Sequence, residues 1–190
     1  MIHVPCSMKN GFTLLELTVV VSIIIILTLI FLANYRGGEL EFSLLRSTQR
    51  LAQDLRNTQE MALAGQLAPF SFGEVFPKGG YGIYLQNNSN SYILFADCDG
   101  DKVYDESGAA LSCAQASEST PWPEKIKDLF LEEKVRILNV SPASPVSIVF
   151  FPPDPTITIR PLASSTIITL SSDGKTRTVT INTSGLIEIE

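Results

Sequence analysis

Lys9-Asn10-Gly11-Phe12-Thr13-Leu14-Leu15-Glu16 leads into Leu17 to Ala33, a run with no charge, no Gly and no Pro. Only Thr18, Ser22 and Thr28 carry polar side chains within it. As a helix rising about 1.5 Å per residue, the run spans roughly 25 Å, slightly short of a hydrocarbon core. Adding Phe12 to Leu15 makes it long enough, but takes Glu16 along, and a charge at that depth is costly unless paired. The order of segments is also telling. A secretory signal places its small-residue cleavage site after the apolar stretch. Here the polar stretch Met1 to Asn10 ends at Gly11 and the apolar run follows, so cleavage at Gly11 would leave the helix in the mature chain.

The remainder is polar to mixed and rich in Ser, Thr, Pro and Gly, so 190 residues predict one membrane-anchored domain with a single core. The formal net charge is −6, and without residues 1–11, which hold Lys9, it stands at 13 basic against 20 acidic side chains. An acidic balance argues against generic nucleic-acid binding, which relies on Lys and Arg to displace counterions. The sole histidine, His3, lies upstream of Gly11. A chain without it has no imidazole base, no Ser-His or Cys-His pair and no His metal ligand. No P-loop or Gly-rich nucleotide fingerprint occurs either, and an enzyme is not expected. Cys6 lies upstream of Gly11, leaving Cys98 and Cys113 as an even pair in a segment expected outside the cytoplasm. A disulfide between them is predicted, closing a loop of about 15 residues and contributing roughly 3 kcal/mol.

Past Gly37-Gly38, which reads as a flexible point, apolar and small residues recur at spacings of four and three: Leu44, Thr48, Leu51, Leu55, Thr58 and Ala62. Arg46, Arg50, Asp54, Arg56 and Glu60 occupy other faces, and the three arginines read as a solvated face or as contacts to neighbours. Gly65 ends this helix, and the stretch to Gly80 reads as loop. Strands are predicted at 81–85, 92–96, 135–138, 146–151, 156–159, 166–170, 176–181 and 186–189, with a short helix between Pro121 and Phe130. The expected fold is α+β, one long N-terminal helix packed on an antiparallel β-sheet head. Its parts are a leader at 1–11, a transmembrane helix at 12–36, an amphipathic half at 37–64 and a β-rich head at 65–190.

Lys9 to Glu16 with the apolar run behind it resembles the prepilin processing motif of type IV pilins and type II secretion pseudopilins. The resemblance implies cleavage between Gly11 and Phe12 by a prepilin peptidase and N-methylation of Phe12. It further implies that Glu16 pairs with the N-terminal amine of a neighbouring subunit in a helical filament. The implied setting is the bacterial inner membrane, crossed once, with an extracytoplasmic head that joins a pseudopilus or pilus. One departure stands out: the helix-kinking Pro that many pilins carry about twenty residues into the mature chain is replaced by Phe31-Leu32-Ala33-Asn34. In the head, Phe95 to Asp101 with Asp105 is similar to a strand-loop of the H-type minor pseudopilins, the GspH and FimT-like proteins. Gly174 to Val179 through Thr183 to Ile187 resembles their closing β-hairpin. Residues 106–145 match no named pattern.

Asp97, Asp99, Asp101 and Asp105 fall at positions one, three, five and nine of an EF-hand-like count, with the Val103 carbonyl at seven. These oxygens make Ca²⁺ a candidate ligand. Gly108 at position twelve and Lys102 at position six depart from the pattern, and the alternative is a solvated polar turn. Two functions are expected to compete, beside a third possibility, an anchored domain that never polymerises. The first is a structural subunit that packs its helix into a filament and helps initiate assembly. The second is a FimT-like minor pilin binding DNA for uptake through Arg160, Lys175 and Arg177.

Overall fold

Helix α1 runs from Leu14 to Leu63 in the computed structural model, which describes residues 12–70, 73–110, 112–117, 119–120, 122–152 and 157–190. The leader, Gly11 included, lies outside the described residues. Packing divides the chain into residues 1–39 and residues 40–190, and α1 contributes to both. The helical backbone continues through Gly37 and Gly38 without a break.

In the first unit, Leu14–Leu32 is long and apolar enough to cross a membrane, and none of it is buried. Its few polar side chains are satisfied within the helix. Thr18 Oγ1 donates to the Leu15 carbonyl at 2.8 Å, Ser22 Oγ to Thr18 at 2.8 Å and Thr28 Oγ1 to Ile24 at 2.7 Å. Such back-bonding leaves the hydroxyls without an outstanding donor and makes them tolerable in hydrocarbon.

In the second unit the helical periodicity does what it predicts. Leu44, Thr48, Leu51, Leu55, Thr58 and Ala62 are all buried, on one face of α1. Their partners come from two antiparallel sheets. The first has the order β5 (Lys125–Phe130), β4 (Ser91–Asp97), β3 (Gly80–Leu85), β7 (Val146–Phe150), β8 (Ile157–Arg160). The second has the order β11 (Ile187–Ile189), β10 (Lys175–Asn182), β9 (Ser165–Ser172), β6 (Arg136–Ser141). Strand alternation sends Tyr81, Ile83, Leu85, Ile148 and Ile159 from the first sheet, and Ile137, Ile168, Leu170, Val179 and Ile181 from the second, into one core with the helix. Each fully buried aliphatic side chain contributes about 1.5–3 kcal/mol. The fold class is α+β, as expected.

Polar residues on α1 also make contacts with the head. Tyr92 Oη donates to Asp54 Oδ2 at 2.6 Å, and the Glu132 N–H donates to Ser47 Oγ at 3.0 Å. Arg46 pairs with Glu132 at 3.3 Å on the exposed face.

The structure corrects the expected elements in two places. The stretch to Gly80 is not all loop, because β1 (Ala68–Phe70) and β2 (Gly73–Val75) form a small hairpin. The helix expected between Pro121 and Phe130 is absent, and β5 pairs with β4 there instead. A proline disfavours helical conformation in the residue before it, so Pro123 acts against a helix at Trp122. The edge of the sheet then takes up Lys125 to Phe130. The other strands appear where expected to within a few residues, although Thr156 lies outside the described residues.

Candidate functional site

Two regions hold most of the residues singled out by the sequence, one in each unit. At the N-terminal end, Phe12 precedes α1 and is 80% exposed. Thr13 is the residue before the first helical turn, and its carbonyl accepts the Leu17 N–H at 3.1 Å. Its hydroxyl accepts the Glu16 N–H at 3.3 Å. Glu16 therefore sits in the first turn, at the positive end of the helix, where a carboxylate is favoured. That position partly offsets the cost of carrying an acid into an apolar segment.

In the head, the other face of the first sheet is covered by the loop that follows β4. Phe95 on this face packs over Gly82, where an added Cβ would lie 2.5 Å from the ring. Tyr104 from the loop lies across Tyr84 and Phe95, with ring centroids at 4.9 and 5.4 Å. Cys98 and Cys113 form the expected disulfide. Both are buried, in a small cluster with Ala116, packed by Val75, Ala110 and Trp122.

The carboxylates of this loop mostly serve its own backbone. Asp97 is fully buried at the end of β4. It accepts the Gly100 N–H at 2.6 Å and the Lys102 N–H at 3.1 Å, and the Lys102 ammonium lies 3.5 Å from Oδ2. Burial pushes its carboxyl up, and the Lys102 charge and these N–H donors pull it back. Asp99 accepts from the Asp101 N–H at 3.2 Å, and Asp101 from the Val103 N–H at 2.7 Å. These are the local side-chain turns that Asp makes in loops. Asp97, Asp99 and Asp101 do converge, each offering an oxygen within 4.8 Å of the others, but Asp105 is not in that group. Burial, then Asp101 and Asp99, raise the Asp105 carboxyl. Three carboxylates could hold a hard cation such as Ca²⁺, yet Lys102 already supplies positive charge beside the most buried of them.

Glu124 is the residue that sequence reading missed. Fully buried, it accepts the Cys98 N–H on Oε1 at 2.6 Å and the Asp105 N–H on Oε2 at 3.2 Å. Its own backbone N–H donates to the Asp105 carbonyl, and its carbonyl accepts from Ala96. One side chain thus ties both flanks of the acidic loop together. Burial, reinforced by Asp97 and Asp99, pushes its carboxyl up to about 9 against the pull of the two N–H donors. Its signal in the sequence was the polar-apolar alternation of Lys125-Ile126-Lys127, which extends a strand back toward Glu124.

The three cations proposed for DNA do not share a sheet. Arg160 is on β8, and its Nε has no hydrogen-bond partner among the described residues. Lys175 and Arg177 are at the start of β10. Lys175 pairs with Glu41 at 2.6 Å, and that bond, with Arg177 nearby, holds the Glu41 carboxyl below its usual range. No protein-family model, no curated protein and no solved structure matches this chain.

Proposed function

We propose that this chain is a prepilin-like precursor whose mature form is a minor pilin or pseudopilin, a structural subunit that packs its N-terminal helix into a filament. The observation that carries this reading is the sharing of one helix between two environments. Its stretch to Leu32 is exposed and, apart from Glu16 and three hydroxyl side chains, apolar, and its stretch from Leu44 is the buried spine of an α+β head. A helix with a permanent lipid role alone needs no carboxylate in its first turn. A helix that leaves the bilayer for a bundle of like helices gains from one that meets a neighbour's ammonium. The partners on this reading are a prepilin peptidase, other subunits and, before assembly, the inner membrane. Type II secretion and type IV pilus machines both accommodate it.

Glu16→Ala tests the reading directly. The variant should insert into membranes as the parent does but be lost from sheared filaments. Unchanged filament content would instead favour an anchored domain that never polymerises. The DNA-binding alternative finds little support, since Lys175 is engaged with Glu41 and Arg160 lies on the other sheet. The full-length chain in detergent should give no gel shift of duplex DNA at low salt; a salt-sensitive shift would revive that alternative.

A further inference from the structure

We infer that the free edge of β11 is a docking site for an extended segment of another protein in which basic residues alternate with apolar ones. The inference concerns the head alone and does not rest on the prepilin reading. β11 is an edge strand of the second sheet and pairs only with β10. Glu190 and Thr178 exchange both backbone bonds at 3.0 Å, and the Asn182 N–H donates to the Leu186 carbonyl at 3.2 Å. In an antiparallel ladder such pairs recur at every second residue, so Ile187 and Ile189 turn their N–H and C=O groups away from β10. Among the described residues no partner takes up those groups. The opposite edge of the same sheet is handled differently. There the Ile137 N–H donates to the Ser89 carbonyl at 2.7 Å and the Ile137 carbonyl accepts the Asn88 N–H at 2.8 Å. The Val140 N–H donates to Asn87 Oδ1 at 2.7 Å. The chain closes one edge and leaves the other open.

The surroundings of the open edge select its occupant. Between β11 and α1 lies a groove of about 470 Å³, lined by Arg56, Gln59, Glu60 and Leu63 of the helix and by Gly185 to Ile187. Ile187 is buried in the core and Ile189 shares its face, so the side toward the core is apolar. Ile189 and Leu63 are both exposed there. On the other face Glu188 and Glu190 stand exposed. With Glu60 they make three carboxylates against one cation, Arg56, and none of the three is in an ion pair among the described residues. A strand laid along this edge therefore meets apolar surface on one face and acid on the other. Basic residues opposite the glutamates are favoured, and like charges there are disfavoured. That argues against β11 of a second copy, which would set these glutamates against their own counterparts. The edge is three residues long and charged, features that guard against indiscriminate pairing, and the same charge makes it selective. Strand addition of this kind takes its affinity from main-chain bonds and its specificity from alternate side chains.

The test uses the full-length chain in detergent and a fluorescent peptide, Thr-Lys-Val-Lys-Val-Lys-Thr with blocked ends, followed by anisotropy at low salt. The peptide should bind saturably. Its counterpart with Glu at each Lys position should bind about tenfold more weakly, the scale of two cross-strand charge pairs changing sign. Hydrogen exchange should slow at the Ile187 and Ile189 amides on binding, with the β6 amides unchanged. Ile189→Pro removes an outward N–H that β10 does not use, a place where an edge strand tolerates Pro. It should weaken binding of the Lys peptide about fivefold, the scale of one hydrogen bond, while the unfolding midpoint stays at the parental value. Glu188→Lys with Glu190→Lys, both exposed, should reverse the preference between the two peptides, and this variant decides the matter if Ile189→Pro is unstable. Absence of binding, equal binding of the two peptides, undiminished binding to a folded Ile189→Pro, or no protection at Ile187 and Ile189 overturns the inference. So does dimerisation of the parent in sedimentation that Ile189→Pro abolishes, because a second copy would then be the occupant.

Discussion

The two halves of α1 share a backbone pattern and differ in what surrounds them. From Leu14 to Leu32 apolar side chains occupy every face of the helix, and they are exposed. From Leu44 to Ala62 the apolar residues narrow to one stripe, and that stripe is buried. The difference teaches how to tell a helix without a partner in its own chain from one that is the spine of a core. A helix apolar on all sides has no preferred partner within its own chain, whereas a striped helix names the side on which its partner must lie.

The comparison breaks most sharply if the stripe is cut. Leu55→Ala should cost the head about 3–4 kcal/mol, read by denaturant unfolding of the full chain in detergent with Trp122 fluorescence. Ile24→Ala, a similar truncation on the exposed half, should leave that unfolding curve unchanged. Equal costs at the two sites would mean that the halves are not distinct. Next in size is the disulfide: Cys98→Ser with Cys113→Ser should lose about 3 kcal/mol for a sequence separation of 15. Lys102→Ala should cost about 2 kcal/mol, because it leaves the buried Asp97 without its cation.

A pH series probes the head through Glu124. The Glu124 carboxyl is raised in the folded state to about 9, above its ordinary value. The folded head therefore holds a proton that the unfolded chain has released, so stability from this source is full below the ordinary carboxylate range. It falls as pH rises toward 9. Glu124→Gln should flatten that fall, and a decline of the same steepness in the variant would assign it elsewhere. The smallest effect belongs to Lys175→Ala. Its partner Glu41 is solvent-exposed, so the melting temperature should not move measurably.

Much of this was legible in the sequence because period and composition are direct readouts of environment. The stripe from Leu44 to Ala62 was visible residue by residue, and so was the pairing of Cys98 with Cys113. The β1–β2 hairpin was hidden because its strands have three residues each, too short for an alternation to register. Strand β5 was hidden because edge strands carry exposed charges, and Lys125, Lys127 and Asp128 read as polar surface of any kind. The acidic loop misled for a different reason. Counting carboxylates finds their spacing, but not that Asp97 is buried, that Lys102 folds back onto it, or that Glu124 anchors the loop from 26 residues away. Burial of a charged residue is set by distant neighbours, and local pattern does not record it.

The sharing of one core by α1 and the last strands has a consequence for how the protein is made. The stripe from Leu44 to Ala62 leaves the ribosome early, while Val179, Ile181 and Ile187, which complete the same core, come roughly a hundred residues later. Domains dominated by such distant pairings close slowly, and surface left waiting is open to wrong partners. Until β10 and β11 arrive, the chain presents an apolar helical ridge continuous in sequence with a segment apolar enough to cross a membrane. A truncation ending before Lys175 should therefore produce a membrane-bound, protease-sensitive species rather than a smaller folded head.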